Sequence, residues 1–139
     1  MDYRKMTAPC GLDCFNCPVH LAAGNERLRS ALSRRMEIPL EMVHCRGCRE
    51  EGGLIPISGA TQVCKVFGCI SKKGHDFCCD CAEFPCDHLH PCADMASQRP
   101  HNVKVFNLGL IKKMGLEEWA RHKASLVRET YFKGKLQLW

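Results

Sequence analysis

The sequence predicts a small α-rich, metal-stapled domain with zinc-knuckle loops and little sheet. Three observations carry that prediction. Twelve cysteines occur in 139 residues, and eleven of them fall in two blocks, Cys10 to Cys17 and Cys45 to Cys86, as pairs and triplets spaced for a metal rather than scattered through a core. Aromatic residues make up only 7% of the chain, so the hydrophobic core is expected to be thin where the cysteines cluster and to need staples there. Outside the blocks, the apolar residues recur mainly at helical spacing.

The length suits one compact domain, with a Cys-rich region over 1–98 and a basic helical extension over 99–139 packed on it. No apolar leader opens the chain, and no stretch reaches the ~20 apolar residues of a membrane span, so a cytoplasmic location without a membrane role is expected. In a reducing cytosol, cysteines at this density read as metal ligands rather than disulfides. The formal charge of +5 is uneven: residues 1–98 carry 11 Lys/Arg against 12 Asp/Glu, and residues 99–139 carry 9 against 3. Each zinc held by four thiolates adds two positive and four negative charges, so two such ions bring +5 to about +1, and the basic balance is weak evidence for nucleic acid.

Taken in order, Cys10-x3-Cys14-x2-Cys17 runs into Pro18, well suited to a first helical position, and a helix is expected from about Pro18 to Arg35 with Leu21, Leu28, Leu32 and Met36 on one face. His20 reads as a surface or supporting residue rather than a ligand. Cys45-x-Gly47-Cys48 is a knuckle in sequence form: two cysteines two residues apart reach one tetrahedral ion, and the glycine lets the turn take a positive φ that frees N–H groups to face the sulfurs. Arg49 to Gln62 reads as an irregular loop. Cys64-x4-Cys69 then resembles the second half of a widened zinc ribbon, with a turn over Lys72 to Asp76.

The densest block places Cys78 and Cys81 as another CxxC pair, with Cys86 five residues on. Cys79 is expected to be spare and Cys92 free, and His88 and His90 read as polar residues beyond the last knuckle. From Pro100 onward, Asn102 is expected to cap a helix with Val103, Phe106, Leu110, Ile111 and Met114 on one face, broken at Gly115. Leu116, Trp119, Ala120, Lys123 and Val127 mark a second helix, with Lys104, Lys112, Lys113, Arg121 and Lys123 on outer faces. Phe132 to Trp139 is read as a short strand or docked tail.

The candidate metal ligands are therefore Cys10, Cys14, Cys17, Cys45, Cys48, Cys64, Cys69, Cys78, Cys81 and Cys86, enough for about two structural zinc ions. An iron–sulfur redox protein is the alternative, since thiolates serve both metals. The first triplet has the spacing of radical S-adenosylmethionine enzymes, but their partial barrel needs a much longer chain. Nothing singles out a catalytic residue, so an enzyme is disfavoured. A protein partner at the C-terminal helices is preferred over nucleic acid, because a base-reading helix and a stacking platform are both missing.

Cys10-Gly11-Leu12-Asp13-Cys14 with Cys17-Pro18, together with Glu83-Phe84-Pro85-Cys86, resembles the CGLDCxxCP and F/Y-P-C blocks of an uncharacterised bacterial and archaeal family, a domain of unknown function. The likeness runs over roughly residues 8 to 92. It implies a cysteine-rich, zinc-binding cytoplasmic protein and carries over no activity.

Overall fold

The computed structural model describes residues 1–138. Among them are six α-helices: α1 (Pro18–Leu21), α2 (Glu26–Met36), α3 (Lys65–Lys73), α4 (Lys104–Met114), α5 (Leu116–His122) and α6 (Ala124–Lys133). Single 3-10 turns and loops join them, and the described residues form no strand, only an isolated antiparallel bridge between Thr7 and Asp13. The α-rich, sheet-poor expectation holds at that level.

Pro18 does open a helix, but the continuous helix to Arg35 is corrected. After α1 the chain makes a 3-10 turn over Ala22–Gly24 and restarts at Asn25, whose side chain accepts the Leu28 N–H at 3.0 Å. A glycine beside a residue that competes for backbone hydrogen bonds ends one helix and caps the next. Leu28, Leu32 and Met36 of α2 lean with Cys17 and Cys45 on a small core of Val19, Ala22, Val43 and Ile57, whereas Leu21 is half exposed.

The widened ribbon is corrected to a helix. Cys64 is the N-cap residue of α3 and Cys69 sits on the helix itself, while Val66 and Ile70, four apart, bury one face in the main core. That burial outweighs the cost of Gly68, about 1 kcal/mol for a helical glycine. Lys72 and Lys73 belong to the last turn, and Gly74 ends it at φ 70°, so the turn expected from Lys72 begins two residues later.

In the C-terminal region a 3-10 turn over Pro100–Val103 precedes α4. Asn102 does not cap it; its side chain accepts the Cys92 N–H at 3.0 Å and donates to the Cys92 carbonyl at 2.9 Å. The buried face of this segment is Val103, Asn107, Leu108 and Ile111, and Phe106 is 61% exposed, so the expected stripe is only partly right. Asn107 moves the face: it is a polar residue buried because both ends of its amide are bonded. The expected second helix is two, α5 and α6, broken at Lys123. Lys112, Lys113, Arg121 and Lys123 are exposed as expected, while Lys104 is half-buried.

Helix α6 takes in Phe132, and residues 134–138 have no regular structure, with Leu136 84% and Leu138 71% exposed. A strand or docked tail is therefore not formed there, and Trp139 lies outside the described residues. Phe15, Val66, Ile70, Phe77, Leu89, Leu108, Trp119 and Ala124 share one core, drawn from the Cys-rich region and from the last three helices alike. No helix among the described residues is long and apolar enough to cross a membrane.

Candidate metal centre

Backbone bonds carry the cysteine segments to one another. The Gly53 N–H donates to the Cys48 carbonyl at 2.8 Å and the Cys64 N–H to the Gly53 carbonyl at 2.9 Å, which sets the start of α3 beside the knuckle. The Cys78 N–H donates to the Pro9 carbonyl at 2.9 Å, joining the last cysteine block to the first. His20 Nδ1 lies 3.0 Å from the Cys45 carbonyl oxygen and ties α1 to the same knuckle.

A first group of thiols follows from this. Cys48 is pushed far above the ordinary thiol range by burial, then by the neighbouring Cys10, Cys14 and Cys64. Cys14 is pushed up to about 11 by burial, against the pull of the Cys48 N–H, with Cys17, Cys10 and Cys45 adding to the rise. Cys10 is raised by burial, with Lys104 and the Leu12 N–H working the other way and Cys64 adding to it. Cys45 is raised by burial and opposed by the Gly47 N–H, while Cys17 raises it further. Gly47 holds φ 106°, as the knuckle reading required. An N–H two residues beyond the cysteine thus favours the thiolate at both Cys10 and Cys45.

The C-terminal helices clamp the Cys10 to Cys17 loop. Asn107 Nδ2 donates to the Gly11 carbonyl at 2.8 Å, and its Oδ1 accepts the Trp119 Nε1–H at 3.3 Å. Gly11 sits at φ 85°, and a Cβ there would meet Leu108 at 2.9 Å and the Lys104 carbonyl at 3.0 Å, so this position requires glycine twice over. Asp13, 1% exposed, takes a forked salt bridge from Arg128 of α6, with Nη2 at 2.6 Å and Nε at 3.1 Å from its oxygens. Burial works against the Arg128 charge, but the Asp13 carboxylate and the sulfurs of Cys17 and Cys14 more than offset it.

Arg49 performs a similar task one residue past the knuckle. It donates to the Thr7 carbonyl at 2.8 Å and the Asp76 carbonyl at 2.6 Å, with its guanidinium 5.0 Å from the centre of the Phe77 ring. Asp13, Arg49, Asn107 and Arg128 were all missed in the sequence. The one available signal was Asp13, an acidic residue in an otherwise apolar CGLDC block.

A second group lines a cavity of about 470 Å³ whose walls include Cys69, Cys78, Cys81 and Cys86. Cys78 is pushed up to about 12 by burial, with Cys10, Cys86, Cys69 and Cys79 adding to it, so it stands between the two groups. Cys79 is raised by burial and then by Asp80, with Lys112 working the other way. Cys92 is exposed, its sulfur 3.9 Å from the Asp94 carbonyl oxygen. His88 lies on the cavity rim, while His90 Nδ1 is 2.9 Å from the Pro91 carbonyl oxygen and the His90 carbonyl oxygen is 2.7 Å from His101 Nε2.

Among the described residues no three or more Cys, His, Asp or Glu side chains are set at the geometry to hold a metal ion. The thiols stand as neighbours without converging on a point. Binding an ion would displace their protons and draw the sulfurs inward to about 2.3 Å from it. The donors are soft sulfurs, in part from turns whose N–H groups face them, a set that both zinc and iron–sulfur centres accept.

These features define a helix-rich, cysteine-rich domain whose thiols gather in two neighbouring groups. The chain belongs to the family described as Protein of unknown function (DUF3795), which matches residues 6–91. The match spans both cysteine groups and ends before α4, so the helices that clamp the Gly11 and Asp13 loop lie beyond it. No curated protein and no solved structure matches the chain.

Proposed function

We propose that the protein is a zinc-binding domain of the cytoplasm that uses about two ions as staples and works as a binding module for a protein partner at its C-terminal helices. The observation that supports this is the gathering of Cys10, Cys14, Cys48 and Cys64 from three separate stretches of chain into mutual influence, with the N–H groups of Leu12 and Cys48 turned to two of the sulfurs. Closed thiolate sites add their binding free energy to folding.

The test is elemental analysis for zinc, iron and sulfide on protein purified without oxygen, with a visible spectrum on the same sample. About two colourless zinc ions per chain support the reading, and Cys48→Ser should then lose metal and melt at lower temperature. Iron with matching sulfide replaces the scaffold with a redox role, and a metal-free native protein overturns both.

A further inference from the structure

We propose that the cavity walled by Cys69, Cys78, Cys81 and Cys86 is a separate metal site that takes a soft divalent ion and exchanges it with solvent, with Lys73 holding the open thiolate set in place. The proposal rests on the metal-binding reading above and adds which four thiols share the second ion and how that ion behaves.

The walls of the cavity come from two short stretches. Helix α3 presents Cys69, and one turn later Lys73; the 3-10 turn over Cys78–Asp80 and the loop after it present the other three sulfurs. The Cys81 N–H donates to the Cys78 carbonyl at 3.1 Å, the Phe84 N–H to the Cys81 carbonyl at 3.1 Å, and the Leu89 N–H to the Cys86 carbonyl at 2.9 Å. The loop is thus internally fixed, and its three cysteines line the same cavity as Cys69; the four sulfurs do not already converge, so binding requires them to move onto the ion. Val66, Ile70 and Leu89 form the apolar floor. Glu83, Asp87 and His88, all exposed, form a rim through which water reaches the sulfurs.

Lys73 sets this group apart. Its Nζ is 3.4 Å from the Cys81 sulfur and forms an ion pair with Glu83. Four thiolates around a divalent ion leave a net charge of about −2, and an ammonium against one sulfur opposes that excess while orienting it. The first group has a different cover: the Cys10 to Cys17 loop lies under Asn107, Leu108 and Arg128. Those contacts fix the backbone of the loop that carries Cys10 and Cys14, so an ion held there should be released more slowly than one in the cavity, whose rim is exposed.

Cadmium titration of the metal-stripped, reduced chain, followed by thiolate-to-cadmium ultraviolet absorption, and timed removal of zinc from the native chain by a chelator test this together. The expected result is two equivalents of cadmium bound and two phases of zinc loss, with Cys81→Ser and Cys86→Ser each abolishing the fast phase and leaving one slowly lost ion. Lys73→Met should weaken the fast ion about tenfold, the lower end for loss of a residue that supports a ligand, and Lys73→Arg should recover most of it. Two ions in Cys81→Ser, a single phase in the native chain, or unchanged affinity in Lys73→Met overturns the proposal. One slow ion in the native chain overturns it while leaving the first site intact, and no ion at all removes the reading on which it stands.

Discussion

The Cys10 to Cys17 loop and the Cys78 to Cys86 loop are both dense in cysteine and meet through the bond from the Cys78 N–H to the Pro9 carbonyl, yet they are anchored differently. The first is held from outside by residues about a hundred positions away: Asn107 on Gly11, Leu108 against Gly11, Arg128 on Asp13. The second receives no such side-chain clamp from the C-terminal helices among the described residues: its bonds are mostly three residues long, apart from the one to Pro9, and it lines a cavity. The difference teaches that cysteine spacing is a local property, while the anchoring of each cysteine loop depends on which distant elements reach it.

The comparison breaks most readily at Arg128. Removing it by Arg128→Ala strands a buried carboxylate, and a loss of about 3 kcal/mol is expected, the low end for a broken buried pair because the guanidinium is 17% exposed. Urea unfolding of metal-free and metal-loaded chains measures it. A double variant, Asp13→Leu with Arg128→Met, should recover much of the loss, because the cost lies in the unpaired charge.

Next in size is the pH response of the metal-free, reduced protein. Cys14 and Cys78 stand at about 11 and about 12 when folded, against an ordinary 9.0. A thiol raised in the folded state leaves stability intact below 9.0 and removes it as pH climbs through the folded value. Stability should therefore fall from pH 9 to beyond 11, by about 2 kcal/mol from Cys14 alone. Melting temperatures across that range check it, and a flat profile would show that these thiols are not buried as described. With zinc bound, the dependence should turn over, with metal lost as pH falls, because protons compete for the sulfurs.

Asn107→Leu should cost about 1–3 kcal/mol by leaving the Gly11 carbonyl and the Trp119 N–H without partners. Amide hydrogen exchange would place the loosening at the Cys10 to Cys17 loop rather than at the cavity. Glu83→Gln on the open side should leave the melting temperature unchanged, because the ion pair with Lys73 is exposed, with 71% exposure at Glu83. A large fall in melting temperature on Glu83→Gln would erase the contrast between the two sides. Cys92→Ser, on an exposed turn, should be silent in the same assay.

The readings that held rest on interactions a few residues long. Gly47 takes its positive φ because the turn between two nearby cysteines demands it, and Pro18 opens a helix because its missing N–H has no partner to lose there. The readings that failed had a competing local meaning. Lys65 to Lys73 looked like ligand-bearing loop because Cys64 and Cys69 drew attention from Val66 and Ile70, and α4 was read with Phe106 inward because Asn107 is polar.

By itself the sequence determined that this is a helical, sheet-poor chain with knuckle turns and thiols in metal-like pairs, since spacing, caps and turn residues act over one or two turns of backbone. Only the tertiary structure decided which distant residues hold the Cys10 to Cys17 loop. Asp13 meets Arg128 across 115 positions and Gly11 meets Asn107 across 96. No local propensity encodes such a pair: each residue is ordinary where it stands, and becomes decisive only when folding removes both from water.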